Sequence, residues 1–398
     1  RLAAEVLKGN PDHLDARLIL AQSRYAMFDL EGAEAAAKEA ARRHPEHPGA
    51  HVVLGRIAFD EYRMRRDALD TENPPEPRRS ELVTQLDEAR KRTQAAFTKA
   101  AALDPLRSYP HVMLGDVAAR DHDSATTLRH WGDALAVDPA ARVDHDWIRT
   151  HTEPAARVAF YLRARERYET TSEASAVKAA TLRFYTGLAH YEAQDWQLAR
   201  AEFEAAKAQN ADFVNADYYA ALCAWRTKDE DGAEAHAAAF AAVSAPRFAD
   251  VLRGIDPEPR AEVSGIVKYL GDRAFRDGRK DRSRDLNHVI ACLLDSADAW
   301  NNYAFLCRET QKFDAAFVGY QHAIEREPDS PQLWNDAAVV LHYHLGGDDN
   351  RSRAKQMYEK ALELARAQLA ARESTEIVRR RAESAMADAK ANLEALAR

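Results

Sequence analysis

The sequence predicts an all-α solenoid of helical hairpins, about eight regular and one degenerate, closed by a C-terminal capping helix. Three observations carry that expectation. Small residues recur at a spacing near 34 residues, and prolines stop the second helix of several units at one register. Only 15 glycines and 15 prolines occur in 398 residues, too few for a chain of short strands and tight turns.

The first unit runs from Leu14 to His47, LDARLILAQSRYAMFDLEGAEAAAKEAARRHPEH. It reads as an apolar helix, a turn around Asp29, an alanine-rich second helix and a stop at Pro45, whose ring and missing N–H end a helix. Ala21 recurs as Gly55, Gly115, Gly187, Ala221, Gly271, Ala304 and Ala338, in steps of 34, 60, 72, 34, 50, 33 and 34 residues. Ala40 recurs as Ala100, Ala134, Ala206, Ala323 and Ala361, with Phe240 and Ile290 as departures. Pro45 recurs as Pro105, Pro139 and Pro328, and Ala211 replaces it once. Small residues at these places let the two helices of a hairpin, and successive hairpins, approach closely.

The irregular steps locate the departures. The 60-residue step holds an insertion of about 26 residues near 61–88, containing YRMRRDALDTENPPEPRRS. There the first helix is expected to run on past Tyr62, a loop to form near Asn73 to Pro77, and the second helix to run from about Ser80 to Leu103. The 72-residue step holds one irregular unit at 140–179, across DHDWIRTHTEPAARVAFYLRARERYE. The 50-residue step contains SAPRFADVLRGIDPEPR, expected to bend the chain and divide it into an N-terminal stack, 1–250, and a C-terminal stack with its cap, 251–398. The last segment, TEIVRRRAESAMADAKANLEALAR, is mostly polar with a thin apolar stripe, as a terminal capping helix should be. With Pro11 as a stop, Arg1 falls in mid-helix, so a leader, an anchor or further repeats are expected ahead of it.

Small residues at Ala21, Ala33 and Ala40 followed by Pro45, repeated in frame, resemble the tetratricopeptide repeat at its positions 8, 20, 27 and 32. The resemblance covers essentially the whole chain. It implies a right-handed α-solenoid whose first helices line a concave face, with positions 2, 5, 9, 12 and 13 pointing into it.

Local chemistry offers few rivals to that reading. Leu333 to Asn350, LWNDAAVVLHYHLGGDDN, pairs His342 with His344, but residues two apart on an α-helix leave opposite flanks and cannot share a metal. Gly346 and Gly347 lack the lysine and hydroxyl residue of a phosphate loop and precede acidic residues, so they read as a helix end and an enlarged turn. Asp121 to Asp123 and Asp229 to Asp231 read as solvated turn and N-cap carboxylates, not a calcium loop. Cys223, Cys292 and Cys307 are far apart and read as small buried hydrophobes. The irregular DHDWIRTH, with His145 and His151, is the one segment with room for a small site. No catalytic residue, cofactor site or metal site is expected.

A net charge of −8 and a pI near 6.0 argue against broad nucleic-acid binding. No run of about 18 apolar residues is present, so no direct membrane insertion is expected. Compartment stays open between cytoplasmic and membrane-anchored or periplasmic.

Mapping the groove positions that the resemblance implies gives Phe184, Leu188 and Tyr191 in one unit and Tyr218, Leu222 and Trp225 in the next. Elsewhere they fall on Tyr25, Arg56, Phe59, Arg120, Lys268, Phe275, Arg276, Phe305, Arg308, His342 and Tyr343. Aromatic and arginine side chains are the types that anchor protein interfaces. A chaperone-tail clamp is not expected: beside Lys268 and Asn302, Asp272 stands where an asparagine is needed, and Gln332 and Asp336 replace basic residues. The expected role is a non-catalytic scaffold or adaptor holding a protein or peptide in its groove. Two alternatives stand beside it: a structural subunit using convex or edge surfaces, and the interaction arm of an enzyme whose catalytic part lies upstream.

Overall fold

The computed structural model describes residues 2–72, 74–171, 174–255, 257–371 and 375–398. Arg1 and Asn73, on which two of the expectations above fall, lie outside the described residues. Among the described residues every regular element is a helix. They belong to two compact units, Arg1–Ala211 and Asp212–Arg398.

The first unit opens with a single helix, α1 (Leu2–Gly9), followed by hairpins α2 (Leu14–Ala26) with α3 (Leu30–Arg43) and α4 (Pro48–Glu72) with α5 (Arg78–Leu103). Then come α6 (Ser108–Arg120) with α7 (Ser124–Val137), the irregular α8 (His145–His151) with α9 (Pro154–Glu169), and α10 (Ala176–Glu192) with α11 (Trp196–Gln209). The insertion lengthens both helices of its hairpin, and the expected course past Tyr62 and on to Leu103 is what forms. In the second unit α12 (Val214–Arg226) pairs with α13 (Glu230–Gly254), α14 (Pro257–Arg276) with α15 (Lys280–Leu294), and α16 (Ala297–Glu309) with α17 (Phe313–Arg326). The last hairpin joins α18 (Pro331–Val339) to α19 (Asp348–Ala370), and α20 (Glu376–Leu396) closes the stack.

Six hairpins turn in the same way. Phe28, His122, Gln194, Lys228 and Gln311 take φ of 59 to 64°, and Gly278 takes 78°. The N–H of the following residue donates to a carbonyl five residues back: Asp29 to Arg24, Asp123 to Ala118, Asp195 to His190, Asp229 to Ala224, Arg279 to Ala274 and Lys312 to Cys307, at 2.8 to 3.0 Å. This is the Schellman closure, which satisfies carbonyls a helix end leaves without partners. The same aspartates then start the second helix: Asp29, Asp123 and Asp229 each accept from the N–H three residues on, at 2.9 to 3.0 Å. The DHD and DED runs are therefore turn and cap residues, as their sequence suggests.

Inside the hairpins, small residues sit under large rings. A Cβ on Gly55 would come within 2.8 Å of Phe97, one on Gly187 within 2.8 Å of Phe203, and one on Gly115 closer still to Trp131. Those rings are buried, so the glycine on the first helix is the socket into which the second helix sets its aromatic. The irregular unit uses a different device. Arg157, almost fully buried, donates to the carbonyls of Arg149 and Thr152 at the end of α8 and pairs with Glu192 of α10.

The segment expected to divide the chain near 250 lies within the second unit, since the units part between Ala211 and Asp212; there α13 kinks, where Ser244 leaves helical geometry (φ −166°, ψ 94°) two residues before Pro246. Glu234 of α13 is 0% exposed and is held by Arg279 at 2.6 and 2.7 Å, Arg282 at 3.2 Å and Arg273 at 3.3 Å. Burial works to raise its pKa, but the hydrogen bonds and charges of Arg279 and Arg282 outweigh it and hold the carboxyl below its ordinary range. Cys223 and Cys307 are buried and Cys292 is half-buried. The cap sets Ala382, Ala385 and Ala389, a narrow small-residue stripe, against the stack.

The segment with His342 and His344 departs from a plain α-helix. Val340–Leu345 is a π-helical turn, closed by the Gly346 N–H donating to Leu341 O at 3.1 Å. The two imidazoles still leave different sides, His342 stacking on Tyr343 at 4.0 Å and His344 on Phe313 at 4.2 Å.

Candidate peptide-binding groove

In the first unit, helices α2, α4 and α6 bring the expected side chains together in two places. Arg56 lies over the Tyr25 ring at 4.4 Å, and Tyr25 Oη donates to Asp60. Burial, then the carboxylate of Asp60, pushes the Tyr25 pKa up, so the phenol keeps its proton. Farther along, Phe59 and Arg120 line a cavity of about 490 Å³ with Arg63, Asp116, Trp131, Arg142, Asp144 and Trp147. Trp131 and Trp147 meet edge to face at 5.4 Å. Asp116 accepts from Trp131 Nε1 at 3.1 Å, and its burial pushes its pKa up to about 6. Arg120 pairs with Asp67 at 3.5 Å, while Arg142 is exposed and forms no ion pair among the described residues.

Phe184 and Tyr191 are half-buried within their own hairpin. Phe184 packs against Phe203 and Tyr185, and Tyr191 meets Trp196 edge to face at 5.1 Å. Leu188 borders a pocket of about 80 Å³ beside His145, Tyr161 and Tyr185. His145 stacks on Tyr185 at 3.6 Å and faces Tyr161 Oη at 2.8 Å; burial lowers its pKa to about 4. The irregular segment thus holds an aromatic stack.

In the second unit Tyr218 is a correction. It is 6% exposed and forms edge contacts with Tyr219, Phe240 and Phe248, so it belongs to the core and not to the groove. The kinked α13 supplies both phenylalanines, and that packing is not visible in the repeat frame. Leu222 and Trp225 are half-buried against the same core, Trp225 meeting Tyr269 at 5.7 Å.

Four expected residues form an open patch. Phe275 on α14 and Phe305 on α16 are 42% and 36% exposed and meet edge-on at 6.3 Å. The Arg308 guanidinium lies 5.6 Å from the Phe305 ring, and Arg276 is exposed next to Phe275. Beneath them a cavity of about 210 Å³ is lined by Asp272, Ser283, Asn287 and Asn302. Lys268 is paired with Asp272 at 2.7 Å, and Gln332 donates to the half-buried Asp336 at 2.9 Å, so neither is poised for a terminal carboxylate. His342 and Tyr343 look elsewhere: His342 Nδ1 lies 3.4 Å from Tyr358 Oη, and Tyr343 Oη donates to Asn392 of the cap at 3.3 Å.

The repeat frame covers Asp116 without singling it out, and it does not reach Trp131, Arg142 and Trp147, which line the same cavity. Trp131 comes from a second helix and Trp147 from the irregular unit, neither of which the five groove positions cover.

No protein-family model matches this chain, and no curated protein matches it. Among solved structures it is similar to the TPR domain of P58(IPK), at 14% identity over 95% of this chain and 99% of that one, with a TM-score of 0.24. It is also similar to a chain of the APC/C hetero-tetramer Cut9–Hcn1, at 10% identity over 95% and 96%, with a TM-score of 0.24. A third is a tetratricopeptide repeat protein from Parabacteroides merdae, at 12% identity over 83% and 99%, with a TM-score of 0.28. At these TM-scores the fold is read from the helices and turns described above.

Proposed function

We propose that this chain is a divergent tetratricopeptide-repeat protein acting as a non-catalytic scaffold, which holds an extended segment of another protein along its first helices. The observation that carries this is the open patch Phe275–Phe305–Arg308 with Arg276 beside it. Two adjacent phenylalanines left in water cost several tenths to a few kcal/mol each, and a partner's apolar side chain recovers that free energy. Arginine over a ring adds an ionic rim, which favours a segment with an apolar anchor flanked by a carboxylate. The cavity beneath, with its amide and hydroxyl groups, accepts a polar tip on that anchor.

A selection from a displayed random-peptide library against the purified chain tests this. Selected peptides should share an apolar residue next to an acidic one. Phe275→Ala with Phe305→Ala should weaken their binding at least ~10-fold, the loss expected when interface anchors are truncated, with helical circular dichroism unchanged. Peptides whose affinity is the same for the double variant would place the binding face elsewhere.

A further inference from the structure

Two histidines and a carboxylate of the first unit converge in a way the groove does not use. His111 stands on α6, and His130 and Asp133 lie one turn apart on α7. One ligand atom from each lies within 4.8 Å of the other two. Nδ1 of His111 and Nδ1 of His130 are buried and meet no hydrogen-bond partner among the described residues. A buried, unpaired polar atom costs about 1–3 kcal/mol, so one on each histidine of the cluster asks for an explanation.

We propose that His111, His130 and Asp133 form a binding site for a divalent first-row transition-metal ion of the zinc class, with one coordination position left for solvent. Two imidazole nitrogens and one carboxylate oxygen are a donor set that suits zinc, cobalt or nickel; calcium and magnesium require cages of oxygen. Tetrahedral ligation at about 2.0–2.2 Å sets neighbouring ligand atoms roughly 3.4 Å apart. His111 Nδ1 and Asp133 Oδ2 are 3.9 Å apart, so small side-chain rotations close the set. The carboxylate is already oriented, because Arg167 Nη1 of α9 donates to Asp133 Oδ1 at 2.6 Å and leaves Oδ2 for the ion. A cavity of about 400 Å³, lined by Asp133 with Arg129, Phe160, Arg163 and Arg167, borders the carboxylate side of the cluster. Nearby cations oppose binding: Arg129 Nη2 lies 3.1 Å from His130 Nε2, and Arg163 and Arg167 line the adjoining cavity. Arg129 is exposed, and it swings into solvent as the ion enters. The bound ion ties α6 to α7 and acts as a staple within one hairpin.

The test is calorimetric titration of the tag-free full chain with Zn²⁺, together with the visible absorption of its Co²⁺ complex. One ion should bind per chain, with a tetrahedral cobalt spectrum. His111→Gln, His130→Gln and Asp133→Asn should each weaken binding at least ~10-fold, since even outer-shell changes reach that size. His344→Gln should leave it unchanged, and Arg129→Gln should tighten it by removing a competing cation. Circular dichroism checks that each variant folds; should a histidine variant not fold, the opposite signs expected for Asp133→Asn and Arg129→Gln decide. Absence of stoichiometric binding, or binding indifferent to His111→Gln combined with His130→Gln, overturns the site.

Discussion

At the residue scale, Asp116 is the side chain whose surroundings predict a measurable behaviour. Burial pushes its pKa up to about 6, and the hydrogen bond from Trp131 only partly offsets that shift. In the unfolded chain the same carboxyl titrates near 3.9. Between these values the folded state holds more protons than the unfolded one, so this residue makes stability fall as pH rises from about 4 to about 6. Asp116→Asn should remove that part of the slope and raise stability at neutral pH by about 1–3 kcal/mol. Trp131 Nε1 keeps an acceptor in the amide oxygen and in Val112 O at 3.2 Å. Urea midpoints at pH 4.5 and 7.5 for parent and variant would show this; parallel pH profiles would mean that Asp116 is better solvated than its position implies. Nothing in the sequence marks Asp116. It occupies a groove position as a lone aspartate, and its environment comes from a tryptophan 15 residues away on the next helix.

At the scale of elements, the pairing of glycine with a ring explains why the small-residue frame was legible. Gly115 recurs in register because Trp131 occupies the volume of a side chain there. Trp131 is 1% exposed and its indole N–H is engaged, so it cannot swing away to admit a methyl group. Gly115→Ala should therefore destabilise the protein by about 1–3 kcal/mol through overpacking. Gly265→Ala makes the same chemical change in α14, where a Cβ meets nothing within 4 Å. It should stabilise by roughly 0.5–1 kcal/mol, because alanine is the better helix former. Opposite shifts in thermal midpoint are expected, and equal shifts would show that helix propensity, not packing, governs both sites. Three of the hairpin turns were legible for a similar reason, since Asp29, Asp123 and Asp229, each after a left-handed residue, cap the next helix. The kink at Ser244 was legible as a bend through Pro246. Its effect on Tyr218 was not, because it depends on where Phe240 and Phe248 land after the chain turns.

For the whole molecule, the hairpins within each unit pack on their neighbours in sequence, and that fixes how damage should spread inside a unit. In such stacks stability is close to a sum of repeat and nearest-neighbour terms, so a local defect loosens its own hairpin and those beside it. Glu234→Gln provides one defect in the second unit. It leaves Arg273, Arg279 and Arg282 facing a neutral amide and should cost about 2–3 kcal/mol, less than a fully buried broken pair because the guanidiniums are partly exposed. Gly115→Ala provides another in the first unit. Hydrogen exchange followed by mass spectrometry should then show faster exchange across residues 230–294 for Glu234→Gln, the span of α13 to α15 that this carboxylate joins. For Gly115→Ala the gain should centre on residues 108–137 and the adjoining hairpins. A uniform rise through the whole unit that carries the substitution would mean that its hairpins unfold as one block, and the nearest-neighbour account would fail. The sequence made the units of such an experiment visible, since their period is written in Ala21, Gly55, Gly115 and their successors. It did not show which hairpins share a core, because Glu234 meets its arginines 39 to 48 residues away, a distance at which no local pattern reports a contact.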